Sequence, residues 1–197
     1  LFNYLNTKED IQTIPFKDDF FDDPKMMEGF VNQCDAIVHL AAMNRHEDMQ
    51  VIYDTNVRLV RQLIEACEHT GSTPHILFSS STQEERDNLY GKSKSDGREM
   101  LEQWAAKYGA RFSGLIIPNV FGPFGQPYYN SVVATFCYQL NHNETPQIHV
   151  DGQLKLIYIN ELVEEFYKEI VAKPGEKIRS YKVPHTSEKK VSEILAL

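Results

Sequence analysis

The 197-residue chain predicts an α/β protein, a doubly wound parallel sheet with a small C-terminal lobe. Three observations carry this expectation. Short continuous apolar runs (Ala36–Ala41, His75–Phe78, Phe112–Ile117) recur along the chain. Such runs suit strands buried on both faces, as in a parallel sheet. They alternate with long stretches of helical period, which builds right-handed βαβ units. After Pro118 the texture changes to the glycine-, proline- and aromatic-rich segment Phe121–Asn130.

The elements follow in order. Leu1–Leu5 reads as the end of a helix, and Ile11–Phe16 as a short strand. Asp23 before Pro24 is an N-cap followed by a first-turn proline, so a helix runs from there to about Gln33. Val51–Thr70 has apolar residues at 53, 57, 60, 63, 64 and 67 and closes at Gly71, a helix with a left-handed cap. Tyr90–Tyr108 is a helix with Met100, Leu101, Trp104 and Tyr108 as its apolar stripe, ended by Gly109. The lobe then holds a helix over Ser131–Leu140 and short strands near Ile148–Val150 and Leu156–Ile159. A helix over Asn160–Val171 and a last strand–helix pair complete it. The boundary between the two parts falls at 120/121.

Composition excludes several functions. Net charge is −8, with 42% hydrophobic and 24% charged residues, which argues against wholesale nucleic-acid or anionic-membrane binding. No apolar run approaches the roughly 20 residues needed to span a bilayer, and no signal peptide is evident. The thiols Cys34, Cys67 and Cys137 are odd in number and without C-x-x-C spacing, as expected of a reduced, cytoplasmic protein. The histidines show no metal-ligand spacing, so no metal site is expected.

The chemistry concentrates in Phe78-Ser79-Ser80-Ser81 and Tyr90-Gly-Lys-Ser-Lys94. Residues i and i+4 share a helix face, so the Tyr90 phenol and the Lys94 ammonium are neighbours. A cation beside a tyrosine hydroxyl favours the phenolate. A serine hydroxyl from the preceding strand end completes a proton relay suited to carbonyl/alcohol chemistry. Tyr4 and Lys8 have the same spacing, but Asn6-Thr7 between them reads as a helix end. In parallel α/β sheets ligands lie beyond the carboxyl ends of strands, where Ala41-Ala42, Ser79–Ser81 and Pro118-Asn119 fall.

In this order the motifs resemble the extended short-chain dehydrogenase/reductase family acting on nucleotide sugars. They are Val38-His-Leu-Ala-Ala42, Asn56, Phe78–Ser81, Tyr90–Lys94 and Pro118-Asn-Val-Phe-Gly-Pro123. Asn44-Arg45 and Tyr129–Tyr138 are similar to the capsular-polysaccharide enzymes that join a reductase to a C-terminal cupin domain. The resemblance implies a Rossmann-like dinucleotide domain over 1–120 and a mainly substrate-binding lobe over 121–197. It implies Tyr90 as acid/base, Lys94 on the nicotinamide ribose and Ser81 on the sugar oxygen. Leu40, Ala41, Ala42, Asn56, Ser79, Pro118 and Asn119 join Tyr90 and Lys94 around the cofactor. Lys17 would meet a 2′-phosphate, placing NADP(H) ahead of NAD(H). Arg45, Ser81, Thr82, Asn119, Asn130 and Ser131 would line the substrate.

The implied activity is NADPH-dependent reduction of the 4-keto group of a UDP-2-acetamido-2,6-dideoxy-hexosulose by a homodimer. The alternatives are a UDP-sugar 4-epimerase with bound NAD and a non-catalytic dinucleotide-binding module. Thr82-Gln83 stands where dehydratases of the family carry Asp-Glu, which argues against dehydration. Leu154 stands where many relatives place an arginine, so Arg45 or Lys155 would hold the diphosphate. The family's first strand and Gly-x-x-Gly-x-x-Gly loop do not occur in these residues. The expectation is a chain cut at both ends that binds dinucleotide poorly, with any cupin domain beyond it.

Several candidates also have ordinary structural readings. Ser81 could cap the strand end, and Asn130 or Ser131 could cap a helix. Lys17 could be a solvated lysine, and Arg45 part of a surface ion pair. His39, inside an apolar strand, reads as a satisfied core histidine. Phe121, Phe124, Tyr128 and Tyr129 either stack on uracil or seal the lobe. The Asp18, Asp19, Asp22, Asp23 cluster reads as a solvated turn.

Overall fold

The computed structural model describes residues 1–173 and 175–197. Its helices are α1 (Phe2–Leu5), α2 (Pro24–Val31), α3 (Met49–Thr70), α4 (Leu89–Tyr108), α5 (Val132–Asn141), α6 (Ile159–Val171) and α7 (Val191–Leu195). Its strands are β1 (Ala36–His39), β2 (His75–Ser81), β3 (Phe112–Ile117), β4 (Asn119–Phe121), β5 (Gln153–Tyr158), β6 (Ile178–Lys182) and β7 (Ser187–Lys190). They form two compact units. One is Leu1–Ile116 with Phe166–Tyr181, the other Ile117–Glu165 with Lys182–Leu197.

The first unit is built on a four-stranded sheet in the order β1-β2-β3-β6. β1 and β2 run parallel, with Ala36 opposite His75 and His39 opposite Phe78, and α3 is the crossover between them. Local chemistry sets the helix ends. The Asp23 carboxylate accepts from the Lys25 and Met26 amides, at 2.9 and 3.3 Å, so α2 begins at Pro24. Asp48 caps α3 through the Gln50 amide at 2.8 Å. Gly71 and Gly109 stop α3 and α4 at φ 69° and 66°, a region costly for residues with a Cβ. The core joins Val31, Val60, Ile76, Phe78, Leu101 and Phe112.

The sequence boundary at 120/121 takes the chain as two consecutive segments. In the structure residues 166–181 return to the first unit, and their side chains explain why. Glu169, buried on α6, accepts from Ser113 of β3 at 2.7 Å and pairs with Arg179 of β6. A buried carboxylate must be paired in this way to be tolerated.

Two expected strands are not formed. Ile11–Phe16 enters no sheet among the described residues. An apolar run becomes a strand only with a hydrogen-bonded neighbour, and here Ile14 and Phe16 instead pack their side chains on the core. Ile148–Val150 lies outside the second unit's sheet, whose order is β4-β5-β7, and lines a cavity. Conversely, β2 continues through the whole serine triplet, and Asn119–Phe121 forms β4, parallel to β5.

Leu101 on α4 is fully buried in the first unit's core. Leu101→Ala should therefore lower unfolding stability by about 2–5 kcal/mol, from lost burial and the cavity left behind. Denaturant unfolding checks this, and a loss below about 1 kcal/mol would contradict the packing described.

Candidate active site

β2 ends at Ser81, a 3-10 turn spans Thr82–Glu85, and α4 begins at Leu89. The Asn88 side chain accepts from the Gly91 amide at 2.7 Å, which fixes the first turn of α4 and with it Tyr90. Lys94 follows one turn later and is only 3% exposed. Its ammonium donates to the Ser79 carbonyl at 2.9 Å. It stands 5.0 Å from the Phe78 ring centroid and 6.0 Å from that of Tyr90. Burial pushes the Lys94 ammonium down to about 8, with the Glu84 carboxylate opposing the shift. Tyr4 and Lys8 meet differently. α1 stops at Leu5, and Lys8 lies 4.5 Å over the Tyr4 and Tyr167 rings.

The serines divide their tasks. Ser79 donates to the His39 carbonyl at 3.1 Å and so ties the ends of β1 and β2 together. Ser80 is buried and donates to Glu84. Ser81 caps the 3-10 turn, its oxygen accepting from the Gln83 amide at 3.2 Å. Capping uses a lone pair of that oxygen and not its proton, so Ser81 keeps a donor for a substrate oxygen. Thr82 opens the turn, half-buried. Gly91 lets the turn approach the helix, because a Cβ there would stand 2.0 Å from the Gln83 carbonyl oxygen.

Asn56 is buried on α3 and holds the loop after β1. It accepts from the Met43 amide at 2.7 Å and donates to the Met43 carbonyl at 3.0 Å and to Ser93 at 2.9 Å. That loop carries Leu40, 48% exposed, and the half-buried Ala41 and Ala42. A strand end edged by alanine methyls and an open leucine, with an ammonium donor beside it, fits a flat nicotinamide and its ribose diol. His39 is not a satisfied core histidine at both nitrogens, since its buried Nε2 has no hydrogen-bond partner. It stacks on Phe78, and burial, helped by Lys94, pushes it down to about 3. A ring held neutral keeps one N–H but offers no imidazolium to act as an acid.

In the second unit Pro118 is buried, and Asn119 on β4 donates to the Lys155 carbonyl at 3.1 Å. Asn119, Asn130 and Ser131 line one cavity of about 330 Å³ with Phe136, Ile148 and Leu154. Ser131 also caps α5, accepting from the Ala134 amide at 3.2 Å. Lys17 and Arg45 are both exposed, before the 3-10 helix Asp18–Asp22 and after β1 respectively. Met43, Gly91, Ser93 and Glu84 hold these elements in place without a sequence motif of their own. Only the placement of Ser93 one turn from Tyr90 could have singled one of them out.

A doubly wound α/β unit with a tyrosine and a buried lysine at a strand end defines a class of dinucleotide-dependent proteins. Residues 6–178 match the NAD dependent epimerase/dehydratase family, and the chain belongs to it. It is 36% identical over 139 residues to UDP-2-acetamido-2,6-beta-L-arabino-hexul-4-ose reductase of Pseudomonas aeruginosa, covering 70% of this chain and 37% of that protein. Among solved structures it is similar to the capsular polysaccharide assembling protein CapF of Staphylococcus aureus. There the TM-score is 0.70 and the identity 29%, over 88% of this chain and 46% of that one. UDP-glucose 4-epimerase of Thermotoga maritima shares the fold, with a TM-score of 0.78 at 21% identity over 89% of this chain and 64% of that one. The chain thus spans less than half the length of the first two. No helix among the described residues is long and apolar enough to cross a membrane.

Gly91→Ala tests the contact between turn and helix. The added methyl must displace Gln83, so turnover of the full-length protein should fall roughly 10- to 100-fold while far-UV circular dichroism keeps its helical signal. Wild-type turnover would show that the turn's position does not matter.

Proposed function

We propose that this chain carries the reductase chemistry of an enzyme that uses NADPH to reduce the 4-keto group of a UDP-2-acetamido-2,6-dideoxy-hexosulose. The product class would feed synthesis of capsule or O-antigen sugars. The observation that carries this reading is the buried Lys94 ammonium, gripped by the Ser79 carbonyl within one helical turn of Tyr90. The 36% identity to the Pseudomonas aeruginosa UDP-sugar reductase supports the reaction class.

A bound nicotinamide cofactor supplies the hydride that reduces C4 of the sugar. Tyr90 gives its phenolic proton to the 4-oxygen, and the resulting phenolate regains a proton from solvent. Lys94 holds positive charge beside that phenolate and donates to the ribose hydroxyls, while Ser81 donates to the sugar oxygen. Asn56 keeps Leu40, Ala41 and Ala42 in place along the cofactor through the Met43 backbone. Thr82 and Gln83 have no group that ionises to drive an elimination, which favours reduction over dehydration. Asn119, Asn130 and Ser131 would bind the nucleotide half of the substrate in the second unit's cavity. Leu154 carries no charge, so Arg45 or Lys155 is assigned to the diphosphate. Lys17 is assigned to the 2′-phosphate that distinguishes NADPH.

The test follows NADPH oxidation by the full-length protein with a UDP-4-keto-hexosamine. Tyr90→Phe should lower kcat by about 100-fold or more, the usual contribution of a positioned acid/base, with KM little changed. NADH should serve less well than NADPH. Unchanged turnover in Tyr90→Phe would sink the reading, and a cofactor retained through every cycle would point to epimerisation instead.

A further inference from the structure

Glu84 and Arg98 form a second layer behind the candidate active site. Glu84 lies in the 3-10 turn and Arg98 two helical turns beyond Tyr90 on α4. The Arg98 guanidinium donates from Nε to both Glu84 oxygens at 3.2 Å, and from Nη2 to Oε2 at 3.0 Å. Its Nη1 donates to Glu102 at 2.9 Å. The paired side chains are only 17% and 9% exposed, unlike ordinary solvated surface ion pairs. Glu84 also accepts from the buried Ser80 hydroxyl. Glu102 in turn accepts from Ser180 of β6 at 2.6 Å.

Space for the pair is cleared on two sides. A Cβ on Gly114 of β3 would stand 3.0 Å from Arg98 Cδ and 2.2 Å from the Ser180 hydroxyl. A Cβ on Gly91 would strike the turn itself. Ser80, tied to Glu84, sits between the residue whose carbonyl grips Lys94 and the residue whose hydroxyl faces the substrate in the proposed function. The carboxylate is thus bonded both to the strand end and to the helix.

We propose that Glu84 and Arg98 are positioning residues, whose ion pair locks the Ser79–Thr82 corner against the helix that carries Tyr90 and Lys94. The inference rests on the proposed function for its effect on turnover. Its effect on the turn stands independently. A planar fork is required, since one guanidinium must span two carboxylates at fixed angles.

The experiment compares Glu84→Gln, Arg98→Gln, their double variant and Arg98→Lys in the full-length protein. Either single change should lower kcat roughly 10- to 100-fold, the scale of a small misplacement of reacting groups. KM for sugar and cofactor should stay within about 3-fold, because no group that binds them is removed. The double variant should be no worse than the poorer single, as coupled partners behave, and Arg98→Lys should fall between. Amide exchange at Gln83–Glu85 should quicken by about 10-fold or more while the middle of α4 keeps its protection. Wild-type kcat in both single variants, or unchanged exchange in the turn, would overturn the proposal. Tyr90→Phe in the same assay separates the two claims. If that variant is active the proposed function fails, and the exchange data still decide the pair.

Discussion

A lysine ammonium almost wholly removed from water is the constraint around which the first unit is arranged. Lys94 donates to one carbonyl and stands over one aromatic ring there. Desolvation lowers its proton affinity from 10.5 to about 8, equivalent to about 3 kcal/mol against the charged form. A fold keeps such a group only where it is over-determined or useful, and the Ser79 carbonyl and the Phe78 ring fix it here. The sign is definite. The unfolded chain binds the proton more tightly, so this group weakens the fold below about pH 8 and ceases to do so above about 10.5. The cost falls beside Tyr90, where the proposed function requires a cation.

The same constraint orders the surrounding residues. Ser79 must present its carbonyl inward, so its hydroxyl turns to His39 on the neighbouring strand. Ser80 turns into the interior and is met by Glu84, whose charge requires Arg98. Ser81 is then left at the edge as the cap of the turn, with its proton available. Three identical residues take three roles because the strand alternates faces and then ends. On the other side Asn56 performs the analogous service for the loop after β1, matching both backbone groups of Met43 with one amide.

Much of this was legible in the sequence, and the residues show why. Buried parallel strands announce themselves as continuous apolar runs, so β1, β2 and β3 were expected in place, and helix ends followed from Asp23, Gly71 and Gly109. The Tyr90/Lys94 pair was separable from Tyr4/Lys8 only by the strand before it, and α1 does stop at Leu5. What could not be read is pairing. Ile11–Phe16 has strand composition but no ladder partner among the described residues. Ile148–Val150 spends its apolar side chains on a cavity. The return of residues 166–181 to the first unit depends on Glu169, Ser113 and Arg179 meeting across long sequence separations. Glu84 and Arg98 are 14 residues apart across a turn, a spacing that no helix or strand period reports. Ser131 shows the converse, since a residue nominated for substrate caps α5.

The arrangement of the first unit depends on the state of one amine. Lysine-selective NMR following the Lys94 Nζ resonance against pH, assigned with Lys94→Met, measures it directly. The environment described here predicts a midpoint near 8, well below the ordinary 10.5. A midpoint at or above 10.5 would mean that the ammonium is solvated and that the buried grip on Ser79 does not exist.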